Sequence, residues 1–177
     1  MHIRQALVED AAAVAKVHVD AWQNTYPGIV PDDYLASLSY ETHEENWRKG
    51  LTAPEFGEFT HVAEDDRHEI VGFATGGPER SGKLDYCGEL HAIYLSAGHR
   101  RHGIGRRLVH SVAERLHQLK YDSMMVWVLA HNPSRAFYEA LGGEKFFETE
   151  VEIGGARMIE FAYGWKNIRQ LIDRARC

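Results

Sequence analysis

Cysteine is nearly absent from this chain of 177 residues: Cys87 and Cys177 are the only two, too few for a disulfide framework. No apolar run approaches the ~18 residues of a membrane span. The opening MHIRQALVEDAAAVAKV carries Glu9 and Asp10 inside its apolar stretch, unlike a secretory signal. Positive charge is not in surplus either. Lys and Arg number 20 against 26 Asp and Glu, a net of −6 with histidine neutral. A dedicated nucleic-acid binder needs the opposite balance to neutralise phosphates, so the acidity favours a cationic partner instead. These absences together lead to the expectation of a cytoplasmic protein with neither membrane nor nucleic acid as partner. What remains is ordinary: 44% hydrophobic and 26% charged residues exclude disorder, collagen and coiled coil as the main state. The length is that of one domain, able to bury roughly 70% of its unfolded surface.

Along the chain the hydrophobic period changes from helical to strand-like. Residues 2–7 read as a short strand. Ala12, Ala15, Val19 and Trp22 then form an apolar stripe in a helix running to about Tyr26. Pro27-Gly28 breaks it, and helical pieces follow over 31–38 and 39–50. Residues 59–64 and 70–75 read as strands around the polar turn 65–69, with Gly76-Gly77-Pro78 ending the second. Residues 85–95 form a third strand. Residues 103–119 form an amphipathic helix with Ile104, Leu108, Val112, Leu116 and Leu119 on one side. The almost wholly apolar run 123–129 fits a strand covered on both faces. Residues 132–141 read as a helix stopped by Gly142, and 145–151 with 157–163 as a closing strand pair. Helices, a meander and a strand–helix–strand crossover predict an α/β (α+β) fold on a mixed sheet. Residues 1–165 make the domain. Residues 166–177 are a basic amphipathic extension of it, with Ile168, Leu171, Ile172 and Ala175 at helical spacing.

The segment 95–108, LSAGHRRHGIGRRL, is the most informative. An ordinary helix start offers Ser, Thr, Asp or Asn as cap and acids in its first turn. Between Gly98 and Leu108 there is none. Arg100, Arg101, His102, Arg106 and Arg107 stand there instead, with Gly103 and Gly105. Cations at a helix N-terminus oppose its dipole by ~0.3–1 kcal/mol each, and the orphan N–H groups lack a side-chain acceptor. A bound anion removes both problems, and the glycines let it approach the backbone. The bland alternative is a tight turn with a solvated basic face. Gly98 and Gly103 have P-loop spacing, yet Ile104-Gly105 stand where Lys-Ser/Thr is required. Gly103 and Gly105 open a dinucleotide fingerprint, but Leu108 occupies its third glycine.

Residues 100–105, RRHGIG, resemble the Gln/Arg-x-x-Gly-x-Gly/Ala signature of the GNAT superfamily of acetyl-CoA-dependent N-acetyltransferases. Residues 132–142, NPSRAFYEALG, resemble the family's second marker. The resemblance covers about residues 1–165 in element order. It implies a mostly antiparallel central sheet of six to seven strands, flanked by helices, and acetyl-CoA as co-substrate without a metal. The family's loop wraps the coenzyme A pyrophosphate, which implicates Arg100, Arg101, His102, Gly103, Ile104, Gly105 and Arg106. Backbone at Ile93, Tyr94 and Leu95 is expected to pair with the pantetheine arm like an added strand and to hold the tetrahedral oxyanion. Asn132 and Arg135 join the cofactor set, although an N-cap followed by Pro133 would account for Asn132 alone. Tyr138 matches the tyrosine that gives a proton to the departing thiolate. A lysine-like amine, of pKa ~10.4, arrives protonated and needs a base. Glu89 matches the position of that base, or is a strand-end carboxylate in solvent. Trp22 and Tyr26 are expected to touch the acceptor. Ser96-Ala97 replaces a proline-containing turn, and Arg100 a commoner glutamine. Family members are often dimers, and a homodimer is expected.

The resemblance thus implies transfer of acetyl from acetyl-CoA to a primary amine by direct attack, with a small amine such as a polyamine favoured over protein. The alternatives are a non-catalytic sensor of CoA or acyl-CoA and a nucleotide-binding regulator. Cys87 with His91 as nucleophile and base would lie ~13 Å apart on one strand. His99 with His102, and His110 with His117, lack a third metal ligand.

Overall fold

Strands β1 (His2–Gln5), β2 (Phe59–Glu64), β3 (Ile70–Pro78), β4 (Gly88–Leu95), β5 (Met124–Leu129), β6 (Glu144–Ile153) and β7 (Ala156–Trp165) build one sheet. Its order is β1-β2-β3-β4-β5-β7-β6 in a computed structural model that describes residues 1–173. Every neighbouring pair is antiparallel except β4 and β5, which are parallel. A parallel pair needs a crossover, and α4 (Ile104–Gln118) supplies it. The six to seven strands and flanking helices implied by the resemblance are therefore present, with seven strands.

The two sheet faces are covered by different helices because alternate strand residues point to opposite sides. Leu108, Val112 and Leu116 of α4 share one core with Ala74, Leu90 and Val126. On the other face Val14 and Val17 of α1 (Ala11–Thr25) meet Val62 and Phe73. Helices α2 (Asp32–Ser37) and α3 (Tyr40–Thr52) follow α1, and α5 (Arg135–Ala140) follows β5.

Three of the boundaries that differ from the sequence-based expectation bear on the site. Strand β3 does not stop at Gly76-Gly77 but runs through them to Pro78. Gly76 is there because α4 lies close: a Cβ would come within 2.6 Å of Val112 Cγ1. Strand β4 starts at Gly88 rather than residue 85, since the Cys87 N–H donates to Ser123 Oγ at 2.9 Å instead of to a ladder. Helix α5 is shorter than 132–141, and Asn132 lies ahead of it rather than capping it. Beyond β7, Ile168, Leu171 and Ile172 are buried in the α4-side core, the last two on α6 (Arg169–Asp173). The described part of the extension thus packs on its own domain; Arg174, Ala175, Arg176 and Cys177 lie outside the described residues.

His18 is wedged in the α1-side core. Its ring stacks on Tyr94 at 5.0 Å, and its Nδ1 accepts the Trp47 indole N–H at 3.3 Å. Burial, and then the nearby His43, push its pKa down to about 4 from an ordinary 6.5. Between these values the unfolded chain binds a proton that the folded chain refuses. Stability from this site is therefore intact above pH 6.5 and declines as the pH falls through that window, by up to ~1.4 kcal/mol per pH unit. Urea unfolding at pH 7 and pH 5 should show this decline, and His18→Gln, which keeps an acceptor but does not titrate, should flatten it. An equal decline in the variant would remove His18 as the source.

Candidate functional site

Strands β4 and β5 pair only where Gly88–Leu90 meets Met124–Val126. Both strands continue, to Leu95 and Leu129, with no ladder bond between them among the described residues. The opening is a cavity of about 660 Å³, lined along its length by Ile93, Tyr94 and Leu95 on one side and Val126 to Leu129 on the other. A strand edge left unpaired is a template for an extended ligand. At the start of the opening β4 carries a bulge. Thr75 pairs with Ala92 and Gly76 with Leu90, so His91 is an extra residue. The bulge reverses the alternation: Leu90 lies in the α4-side core, whereas Ala92 and Tyr94 pack on the α1 side.

The far end of the cavity is the start of α4. Gly103 sits at its N-cap with φ +77°, and Arg101 also adopts a left-handed φ of 64°. The first helix-closing bond runs from Arg107 N–H to Gly103 O. Among the described residues, the backbone N–H groups of 101–106 donate to nothing, and no side chain caps the helix. Arg101, Gly103, Gly105 and Arg106 line the cavity. Ile104 is buried in the core, which anchors the helix and leaves only its N–H for the turn. His102 is not on the cavity wall. Arg100 is, but its Nη2 donates to Thr25 Oγ1 at 3.0 Å, bracing the loop against the end of α1.

Asn132, Tyr26, Trp22 and Tyr138 all line the same cavity. Asn132 Oδ1 accepts the Ser134 N–H at 2.8 Å, and its Nδ2 donates to the Tyr26 hydroxyl at 3.0 Å. Tyr138 is buried, and its hydroxyl bonds to nothing among the described residues. Burial, and then the neighbouring Tyr26, hold its phenol above the ordinary range, so it keeps its proton. Arg135 is off the wall, with its guanidinium over the Phe161 ring.

Glu89 is not on the wall either. It is 1% exposed and clasped by Arg80. The Arg80 backbone N–H donates to its Oε2 at 3.1 Å and Nε to its Oε1 at 3.0 Å, and Nη2 also donates to Oε1. Arg80, His91 and Glu160 do line the cavity, and sequence reasoning did not select them as site residues. Their gathering depends on sheet register: Gly77 faces Glu89, and Glu160 faces Leu129 across β5 and β7. Among the described residues, no three His, Cys, Asp or Glu side chains are placed to hold a metal.

A parted parallel pair thus runs from a β-bulge to an uncapped basic helix start. Residues 17–143 match the Acetyltransferase (GNAT) family, and the chain belongs to that family of N-acetyltransferases. It is 43% identical over 169 residues to the uncharacterized N-acetyltransferase YuaI of Bacillus subtilis (strain 168), covering 96% of this chain and 95% of that protein. The fold is similar to that of a ribosomal-protein-alanine N-acetyltransferase from Brucella melitensis, with a TM-score of 0.72, 22% identity, and coverage of 93% of this chain and 99% of that one. It is also similar to that of the PaiA N-acetyltransferase from Thermoplasma acidophilum in complex with coenzyme A, with a TM-score of 0.67, 19% identity, and coverage of 90% and 96%.

Inorganic pyrophosphate at about 100 times its Kd should stabilise the protein by about 2.7 kcal/mol. That would appear as a raised melting temperature at constant ionic strength. Arg101→Ser combined with Arg106→Ser should weaken the effect severalfold. A melting temperature that pyrophosphate leaves unmoved would contradict an anion site at this helix.

Proposed function

We propose that the protein transfers the acetyl group of acetyl-CoA to a small primary amine by direct attack within a ternary complex. The observation that carries this is the unpaired edge of β4, which leads from the bulge to the unsatisfied N–H groups of 101–106. In this reading the pyrophosphate rests on those N–H groups, with Arg101 and Arg106 supplying positive charge. Arg100 flanks it and Asn132 borders the pantetheine arm, whereas His102 and Arg135 stand off the cavity wall. The arm pairs with backbone at Ile93 to Leu95 as an added strand would. The acetyl group then lies towards the bulge and Tyr138.

The amine gives its extra proton to solvent, and its neutral nitrogen attacks the thioester carbonyl carbon, whose oxyanion is held by backbone N–H groups of β4. As the C–N bond forms the C–S bond breaks. Tyr138 gives its proton to the thiolate and is restored by the proton that the amine sheds, so the products are an amide and a free thiol. Glu89 enters as the holder of Arg80. A base role for it requires Arg80 to let go. That engaged carboxylate is the one observation favouring a second reading, a non-catalytic CoA or acyl-CoA sensor.

Thiol release from acetyl-CoA across a panel of amines decides between the two. Tyr138→Phe should lower kcat about 100-fold, within the usual range for a proton-transfer group, and leave the Kd for acetyl-CoA within about twofold. An unchanged kcat would remove Tyr138 from the chemistry. No turnover of any amine by protein that binds acetyl-CoA would leave the sensor.

A further inference from the structure

We propose that a second cavity, of about 250 Å³, is the acceptor pocket, and that it takes a compact primary monoamine with an apolar body rather than a polyamine. This rests on the acetyl-transfer reading above. The cavity lies beside α3 and β2 and shares Arg80, His91 and Ala92 with the larger one. A ligand in it therefore meets the bulge where the acetyl group is placed. Trp22 and Tyr26, expected at the acceptor, line only the larger cavity, and the Tyr26 hydroxyl already accepts from Asn132.

His91 stands between the two cavities, its side chain 5% exposed. Its Nε2 lies 3.1 Å from Pro78 O. A carbonyl only accepts, so Nε2 carries a proton, and the tautomer with a single proton leaves a lone pair on Nδ1. That Nδ1 is buried and makes no hydrogen bond, yet Glu58 Oε1 stands 2.9 Å from it, out of line. In that tautomer two acceptors face each other without a donor. An ammonium, with three N–H donors, bridges them and relieves the repulsion.

The surrounding charge points the same way. Arg80 is engaged by Glu89, and Glu58 and Glu160 also lie in its field, so carboxylates outnumber the guanidinium. The size of the ligand follows from the walls. Among the described residues Glu58 is the sole carboxylate lining the pocket, and Trp47, Leu51 and Phe59 give it an apolar body. Thr60 and Thr75 spend their hydroxyls on each other at 2.9 Å. A second ammonium would find no anion here. The volume is below that of most drug-sized sites.

The test measures thiol release from acetyl-CoA with 2-phenylethylamine, spermidine and an alanyl peptide with a free N-terminus. 2-Phenylethylamine should give the highest kcat/KM. Glu58→Gln should raise its KM about tenfold, the loss expected for one charged hydrogen bond, with the KM for acetyl-CoA within about twofold. Gly50→Phe gives a second handle. Gly50 lines the pocket, and a Cβ there meets no atom within 4 Å, so a ring at the pocket rim is accommodated without displacing the wall. It should lower kcat/KM for the amine about tenfold or more at unchanged melting temperature and acetyl-CoA affinity. Preference for spermidine or the peptide overturns the inference, as does an amine KM that neither variant moves; the acetyl-transfer reading survives both results. No turnover of any of the three by protein that binds acetyl-CoA overturns both.

Discussion

The parting of β4 from β5 after three paired residues is the constraint from which the rest of the site follows. Backbone N–H and C=O groups of a central strand are normally satisfied by a neighbour, and leaving them bare inside a fold is costly. Here the sheet resumes on the far side of the gap through β5 and β7, which pair over the full length of β5. The gap is therefore built in and is not a frayed edge. What fills it must be extended, able to hydrogen-bond along a strand, and thin enough to fit between two strands. The bulge at His91 marks where pairing gives way, and it turns Ala92 and Tyr94 towards the α1 side. The crossover through α4 then delivers a helix N-terminus to the other end of the same opening.

This geometry sorts charge along the cavity in a way that the net charge of −6 conceals. Arg101 and Arg106 stand at the helix start, where among the described residues no carboxylate lines the wall. At the bulge end stand Glu58, Glu89 and Glu160 around Arg80. Burial raises the Glu160 carboxyl, opposed by Arg80 and reinforced by Glu89. One end suits an anion and the other a cation, which is the polarity expected of a protein that brings a phosphate-bearing donor to a basic acceptor.

The legible parts of the site were those encoded locally. The helix start was readable because capping depends on adjacent residues, and the lack of any cap between Gly98 and Leu108 shows in the letters themselves. The apolar run of β5 and the stripe of α4 were readable for the same reason. Misreadings arose where register or a distant partner decides. Glu89 looks like an open strand-end carboxylate until β3 and β4 are paired, which brings Arg80 over it. Asn132 looks like a cap, yet its amide serves Tyr26, 106 positions away in the chain. Gly76-Gly77 looks like a strand end because glycine commonly breaks strands, whereas here Gly76 makes room for Val112. His91 was legible only as a partner for Cys87. Its bulge position exists only in the sheet.

Three tyrosines line the main cavity, and their surroundings separate them. Burial holds all three phenols above the ordinary range, so each is a hydroxyl and not a phenolate at neutral pH. A proton donor to a developing thiolate also needs a hydroxyl that is not already engaged. Tyr26 accepts the Asn132 amide and ties the end of α1 to the segment before α5. Tyr94 lies against Tyr26 and stacks on His18, which fixes its ring in the α1-side core. Among the described residues the Tyr138 hydroxyl has no hydrogen-bond partner, and its ring packs against Phe137 and Trp165. In the proposed transfer, the same aromatic packing that makes its proton hard to lose to water would keep that proton for a thiolate expelled beside it in a dry cleft.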